Sequence, residues 1–102
     1  MLIIYVALPE IFRKEFRHFI EDEIASIGRP NFPVERHKSV WKYQNAWDFM
    51  YGQEVGFLHG WFIGYWGAER GGKPTDEEIV EINELVEEYA LQLREKLEQY
   101  RD

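Results

Sequence analysis

The most regular pattern along the chain is the spacing of glycine and large apolar residues between Asn45 and Gly67. Glycine recurs at every fourth position of this stretch, and aromatic or aliphatic side chains fill most of the positions between. On a helix, residues four apart lie nearly above one another, so the glycines would form a bare groove along one face. The remaining surface is apolar nearly all round, which is typical of a buried helix. The glycines of this face are Gly52, Gly56, Gly60 and Gly64.

Glycine inside a helix lowers its stability by roughly 0.5–1 kcal/mol per residue relative to alanine. Small residues in a helix allow a second element to approach its backbone closely. We therefore predict that the glycine face contacts a second copy of the chain, with Phe49 and Ile63 in the same interface. The alternative is that the groove receives the chain's own N-terminal strand or first helix. A membrane span is rejected, because the uncharged run 55–68 is shorter than the roughly 18–20 residues that a span needs.

Two shorter patterns precede the central helix. Residues 2–8 are a continuous apolar run that stops at Pro9, which predicts a short strand buried on both faces. Residues 11–27 carry apolar side chains at three- and four-residue steps, which predicts an amphipathic helix closed by Gly28. Residues 34–42 form either a strand paired with the first one or a loop before the central helix. The strand is favoured, because a lone strand needs a partner.

A third helix is predicted after the central one. Thr75 and Glu78 have the spacing of a capping box, and one apolar stripe continues from there to Tyr100. Asn45 is the expected cap of the central helix. The predicted fold is therefore α+β in a single domain over residues 1–102, with a short N-terminal strand and three helices. An all-α fold is the alternative if neither predicted strand forms.

Composition and charge narrow the class of protein. Aromatic residues make up 17 % of the 102 residues, and such a large aromatic share suggests a core completed by another subunit. There is no cysteine, which excludes disulfides and thiolate metal sites. The net charge of −7 lies in residues 74–102, which hold three basic and ten acidic residues, whereas residues 1–73 are balanced. A general affinity for nucleic acid is thereby disfavoured, although a local basic patch is not.

One basic and aromatic segment, residues 29–43, is a candidate nucleic-acid site. Positive charge combined with stacking rings is what single-stranded nucleic-acid binding uses. The same charges would also keep an edge strand unpaired, or receive the acidic C-terminal helix. Nucleic-acid binding is therefore the alternative function. Its candidate residues are Arg29, Arg36, Lys38, Trp41, Lys42 and Tyr43.

Catalytic or metal-binding chemistry has little support in the sequence. His59 lies inside the apolar stretch and is a candidate general base, but no serine or cysteine nucleophile accompanies it nearby. Glu15, His18 and Asp22 share one flank of the first predicted helix. Four-helix di-metal proteins use two Glu-x-x-His pairs, however, and this chain has one. We therefore predict a protein without a cofactor or metal, and catalysis is not favoured.

In its short length, lack of cysteine and abundance of glutamate and aromatic residues, the chain resembles small uncharacterised proteins of hyperthermophilic archaea and their viruses. The resemblance implies an intracellular, heat-stable and oligomeric protein. The first ten residues lack the basic start and the cleavage site of a secretory signal. The sequence therefore predicts a cytoplasmic homodimer that acts through protein–protein contacts, with a further protein partner left open.

Overall fold

The computed structural model describes residues 8–28 and 34–101, apart from the side chains of residues 34–37. These residues form five α-helices, followed by one turn of 3₁₀ helix. The helices are α1 (Glu10–Ser26), α2 (Val34–Trp41), α3 (Ala46–Arg70), α4 (Asp76–Glu87) and α5 (Ala90–Lys96), and the 3₁₀ turn is Leu97–Tyr100.

The predicted α+β fold is wrong. Residues 34–41 form α2, and the residues that the structure describes contain no strand. The predicted first strand, residues 2–8, lies outside the described residues except for Leu8. The segment that becomes α2 is short and rich in glutamate, arginine and lysine, which are good helix formers. The described part of the chain is therefore all-α.

The predicted caps of the central and C-terminal helices are confirmed. The Asn45 side chain accepts a hydrogen bond from the backbone N–H of Asp48 at 2.9 Å. Thr75 and Glu78 form a complete capping box at the start of α4. α3 is capped at its end by Gly71, whose φ of 78° lies in the left-handed region that favours glycine. These boundaries depend on contacts within a few residues, so they can be read from the sequence.

The first predicted amphipathic helix is also confirmed. α1 has the expected apolar stripe, and the side chains of Phe12, Phe16 and Ile20 are buried. Gly28 follows with a φ of 91°, as expected for a glycine after a helix end. α1 therefore presents a mainly aromatic face to the rest of the molecule.

The third predicted helix is interrupted. The chain turns at Glu88 and Tyr89, between α4 and α5, and the 3₁₀ turn follows α5. At this break the Tyr89 hydroxyl donates a hydrogen bond to Glu21 of α1 at 2.8 Å. The contact joins residues 68 positions apart, so local spacing along the helix does not show it.

The core lies where α1, α4, α5 and the 3₁₀ turn pack against one side of α3. The rings of Phe16 and Phe62 stack across the α1–α3 contact with their centroids 3.8 Å apart. Within one chain α3 is buried on one side only, because the other described helices leave its glycines exposed. The buried side chains that follow α3 include Ile82, Leu85, Val86, Tyr89, Leu93 and Leu97.

Candidate interaction face

Residues four apart divide the surface of α3 into rows with different surroundings. The core row is buried and consists of Met50, Glu54, Leu58 and Phe62. The glycine row is exposed and consists of Gly52, Gly56, Gly60 and Gly64, and exposed Ala68 continues it. Apart from the neighbouring residues and backbone of α3 itself, a methyl group added at any of these four glycines would meet no described atom within 4 Å. The glycine row is therefore a bare strip on the outside of the helix.

The described fold does not require glycine at these four positions. The positive-φ glycines are Gly28 and Gly71, which lie outside the row. Gly67 is different again, because a methyl group there would lie 3.1 Å from the Gly72 carbonyl oxygen. Close packing and turn geometry therefore explain glycine at the end of α3, but not along the glycine row.

An aromatic row, Phe57, Trp61 and Tyr65, runs beside the glycine row. Its side chains are 45 %, 39 % and 37 % exposed, respectively. Other rings pack against the rest of their surface. The ring centroid of Trp61 lies 4.2 Å from that of Phe19 in α1 and 5.1 Å from that of Tyr65, and both pairs are stacked. These rings present apolar area whose orientation is fixed by packing, so ordering them on binding costs little. We refer to the glycine row and the aromatic row together as the interaction face.

The predicted interface residues are brought together only in part. The four glycines share one exposed strip, whereas Phe49 and Ile63 are half-buried. Phe49 stacks on Tyr43 at 4.3 Å, and Ile63 packs against the core. The aromatic row was not predicted, although its four-residue spacing places it next to the glycines.

The interaction face carries no charge. Between Asp48 and Glu69, none of the exposed side chains of α3 is charged, although charged residues make up 30 % of the chain. The sixteen residue steps from Gly52 to Ala68 give the strip a length of about 24 Å at 1.5 Å per residue. α1 packs against the aromatic row and leaves the glycines exposed. The alternative in which the first helix fills the groove therefore finds no support.

His59 lies on another side of α3, where it lines a cavity of about 170 Å³. Its Nε2 atom is buried and has no hydrogen-bond partner among the described residues. The lining contains no serine or cysteine, so it provides no such nucleophile for His59 to activate. Among the residues that the structure describes, no group of three or more His, Cys, Asp or Glu side chains is placed to hold a metal ion. The cavity is lined by Tyr51, Val55, His59, Val86, Glu87, Ala90 and Leu93.

The basic and aromatic segment is only partly assembled. Lys38, Trp41 and Lys42 are exposed at the end of α2, and Trp41 is 65 % exposed. The Tyr43 ring stacks on Phe49 instead. Arg29 lies outside the described residues, and Arg36 lies in α2 with a side chain that is not described.

Two glutamates, Glu54 and Glu78, are each only 5 % exposed, and their surroundings differ. Burial tends to raise the pKa of Glu78, but hydrogen bonds from Thr75 and Trp66 and the charge of Arg70 outweigh burial and lower the pKa. Burial raises the pKa of Glu54 to about 7, and Glu23 adds to the rise. The burial of Glu54 was not predicted, although Glu54 lies between Met50 and Leu58 in the core row.

No known protein family, curated protein or solved structure matches this chain. None of the helices in the described part of the chain is long and apolar enough to cross a membrane. Function therefore has to be inferred from the arrangement of the side chains. The feature of α3 that the described fold does not explain is the interaction face.

Proposed function

We propose that the protein is a non-catalytic homo-oligomer whose copies associate through the interaction face of α3. The observation that carries this proposal is the exposed glycine row. No other described element packs against these glycines, so packing within the monomer does not explain why they lack side chains. Four such glycines destabilise the separate subunit by roughly 2–4 kcal/mol relative to alanine. In an oligomer the glycines would allow the α3 helices of two copies to approach each other closely.

A two-fold dimer suits this surface. In a two-fold interface the same patch meets itself, so the glycine rows of two copies would cross. Each aromatic row would then pack beside the partner's helix, and fixed aromatic rings are frequent sources of binding energy. The face lacks charged side chains, so its approach to a second copy brings no like charges together.

The expected dimer is weak. A strip about 24 Å long and 10–12 Å wide has a footprint of roughly 250–300 Å². A standard stable interface buries about 800 Å² per partner. We therefore expect association that depends on concentration, with dissociation in the micromolar range or above. A further protein partner and an intracellular location are consistent with this proposal.

Sedimentation equilibrium tests the proposal. Wild-type protein should pass from monomer towards dimer as its concentration rises from low micromolar to near-millimolar. Gly60→Leu should remain monomeric and folded, because the new side chain has free space in the monomer but separates two crossing helices. Ala25→Leu is the matched control, since it adds a leucine at an exposed position of α1 and should associate like wild type.

Two results would contradict association through the interaction face. One is a wild-type protein that stays monomeric at the highest concentration. The other is a Gly60→Leu variant that associates as strongly as wild type, which would place the contact elsewhere.

Nucleic-acid binding is a second candidate, favoured by Trp41, which is 65 % exposed between exposed Lys38 and Lys42. If the ring stacks on a base, Trp41→Ala should weaken single-strand binding by roughly 1–3 kcal/mol. Contacts between lysine and phosphate should also make the affinity fall steeply as salt rises. Fluorescence titration with single-stranded DNA and RNA at two salt concentrations measures both effects. No binding at low salt would exclude this candidate.

A further inference from the structure

The cavity of about 170 Å³ beside His59 lies between the first half of α3 and the break that separates α4 from α5. We refer to it as the His59 cavity. On α3 it is lined by Tyr51, Val55 and His59, which are four residues apart and therefore share one side of the helix. The opposite wall comes from the end of α4 and from α5, through Val86, Glu87, Ala90 and Leu93.

The His59 cavity has the size and lining of a site for a small molecule. An apolar cavity of about 150 Å³ is large enough to hold benzene. Apart from His59 and Glu87, the described lining residues are aliphatic or aromatic, as in most ligand sites. The Tyr51 ring stacks on Trp47 with the ring centroids 5.5 Å apart, and this contact fixes the shape of one wall. The cavity therefore suits a ligand whose apolar part is a single ring.

His59 contributes a polar atom that the described fold leaves without a partner. Its Nε2 atom is buried, and no described residue forms a hydrogen bond with it. An unpaired buried polar atom costs free energy, which a ligand can recover by supplying the missing partner. An imidazole nitrogen donates when it carries a proton and accepts when it does not, and a hydroxyl group can match either form. Because His59 lines the cavity, a hydroxyl group on a bound ring is placed to pair with it.

The charges around the cavity disfavour an acidic ligand. Glu87 contributes a carboxylate to the lining, and the described lining residues include no lysine or arginine. A ligand carboxylate would meet the charge of Glu87 with no cation to offset the repulsion. The apolar walls also disfavour any fully charged ligand, because they cannot replace its hydration.

We propose that the His59 cavity binds a small neutral aromatic alcohol, of which phenol is the simplest example. The ring lies among the side chains of Val55, Val86 and Leu93, and the hydroxyl group pairs with His59 Nε2. Binding involves no chemical step, so His59 acts as a binding residue and not as a base. The site is separate from the interaction face and does not depend on association of the chain.

NMR titration of the labelled protein with phenol, and separately with toluene, tests the proposal. In wild type, phenol should shift the amide signals of the cavity lining in a saturable way. His59→Leu should weaken phenol binding roughly tenfold, because the hydroxyl group loses its partner, and should leave toluene binding unchanged or stronger. Ala25→Leu, a leucine added at an exposed position of α1, is the control and should bind both compounds like wild type.

A cavity-filling variant and a wild-type readout complete the test. Ala90→Leu places a larger side chain in the lining and should abolish binding of both compounds. In wild type, the Nε2 nitrogen signal of His59 should shift with phenol but not with toluene, and this readout decides if a variant does not fold. The proposal is overturned if phenol causes no saturable shifts or shifts only the interaction face. It is also overturned if His59→Leu weakens phenol and toluene equally.

Discussion

The core row and the glycine row of α3 share a four-residue spacing but have opposite surroundings. In the core row, Phe62 is fully buried and stacks on Phe16 of α1. In the glycine row, Gly56 and Gly60 are exposed, and a methyl group at either would meet nothing described. The core row stabilises the monomer, whereas the glycine row weakens its helix. The described fold accounts for the core row, whereas it gives no reason for glycine along the glycine row.

The largest expected effect comes from the core row. Phe62→Ala should destabilise the monomer by about 3–5 kcal/mol, because it removes a buried ring and leaves a cavity. Phe57→Ala on the aromatic row is the matched control, and it should cost less because Phe57 is 45 % exposed. Urea unfolding at low protein concentration measures both. If both variants lose the same free energy of unfolding, the core row and the aromatic row do not differ in their contribution to the monomer.

A smaller effect is expected at Trp66, which lies four residues beyond Phe62. Its indole Nε1 donates a hydrogen bond to Glu78 at 2.5 Å. Trp66→Phe removes this donor and should lower the free energy of unfolding by about 1–2 kcal/mol. Trp47→Phe is a useful control, because its indole makes a longer 3.3 Å bond to the Arg94 carbonyl oxygen. Equal losses in the two variants would show that the contact with Glu78 has no special role.

The same contact has a pH signature. Because the folded-state pKa of Glu78 is lowered, its stabilisation is present above pH 4.5 and is lost as the pH falls below that value. Trp66→Phe removes one of the bonds that lower the pKa. The stability difference between wild type and Trp66→Phe should therefore narrow in acid, which unfolding experiments at pH 3 and pH 6 would show. A difference that is unchanged or larger in acid would contradict this account.

The smallest effect has the opposite sign. Gly60→Ala should stabilise the monomer by roughly 0.5–1 kcal/mol, because alanine favours the helix and its methyl group has free space. Gly67→Ala is the control, since its methyl group would lie 3.1 Å from a backbone oxygen. Gly67→Ala should therefore leave the stability of the monomer unchanged or lower it. Thermal unfolding of dilute protein compares them, and a destabilised Gly60→Ala would mean that the glycine row is covered within the monomer.

The sequence predicted the features that local contacts decide. Asn45, Thr75 and Glu78 act on backbone groups within three residues, so the starts of α3 and α4 could be read directly. The prediction of a strand over residues 34–42 failed because it relied on pairing with residues 2–8 and gave too little weight to the helix formers of the segment. The break near Tyr89 was missed because the partner of its hydroxyl, Glu21, is distant in sequence.

The candidate site was predictable only in part. The glycine row follows from spacing alone, and its placement on one strip is confirmed. Which side of α3 is buried could not be read, because large apolar residues occur nearly all round the helix. For the same reason, the aromatic row and the burial of Glu54 between Met50 and Leu58 became visible only in the fold.

Cysteine cross-linking tests the central claim most directly, because the chain contains no cysteine of its own. A disulfide requires Cα atoms about 4.4–6.8 Å apart, a separation that crossing glycine rows can reach. Under mild oxidation at high protein concentration, Gly56→Cys or Gly60→Cys should form a disulfide-linked dimer much faster than Ala25→Cys on exposed α1. Equal rates at all three positions would contradict association through the glycine row.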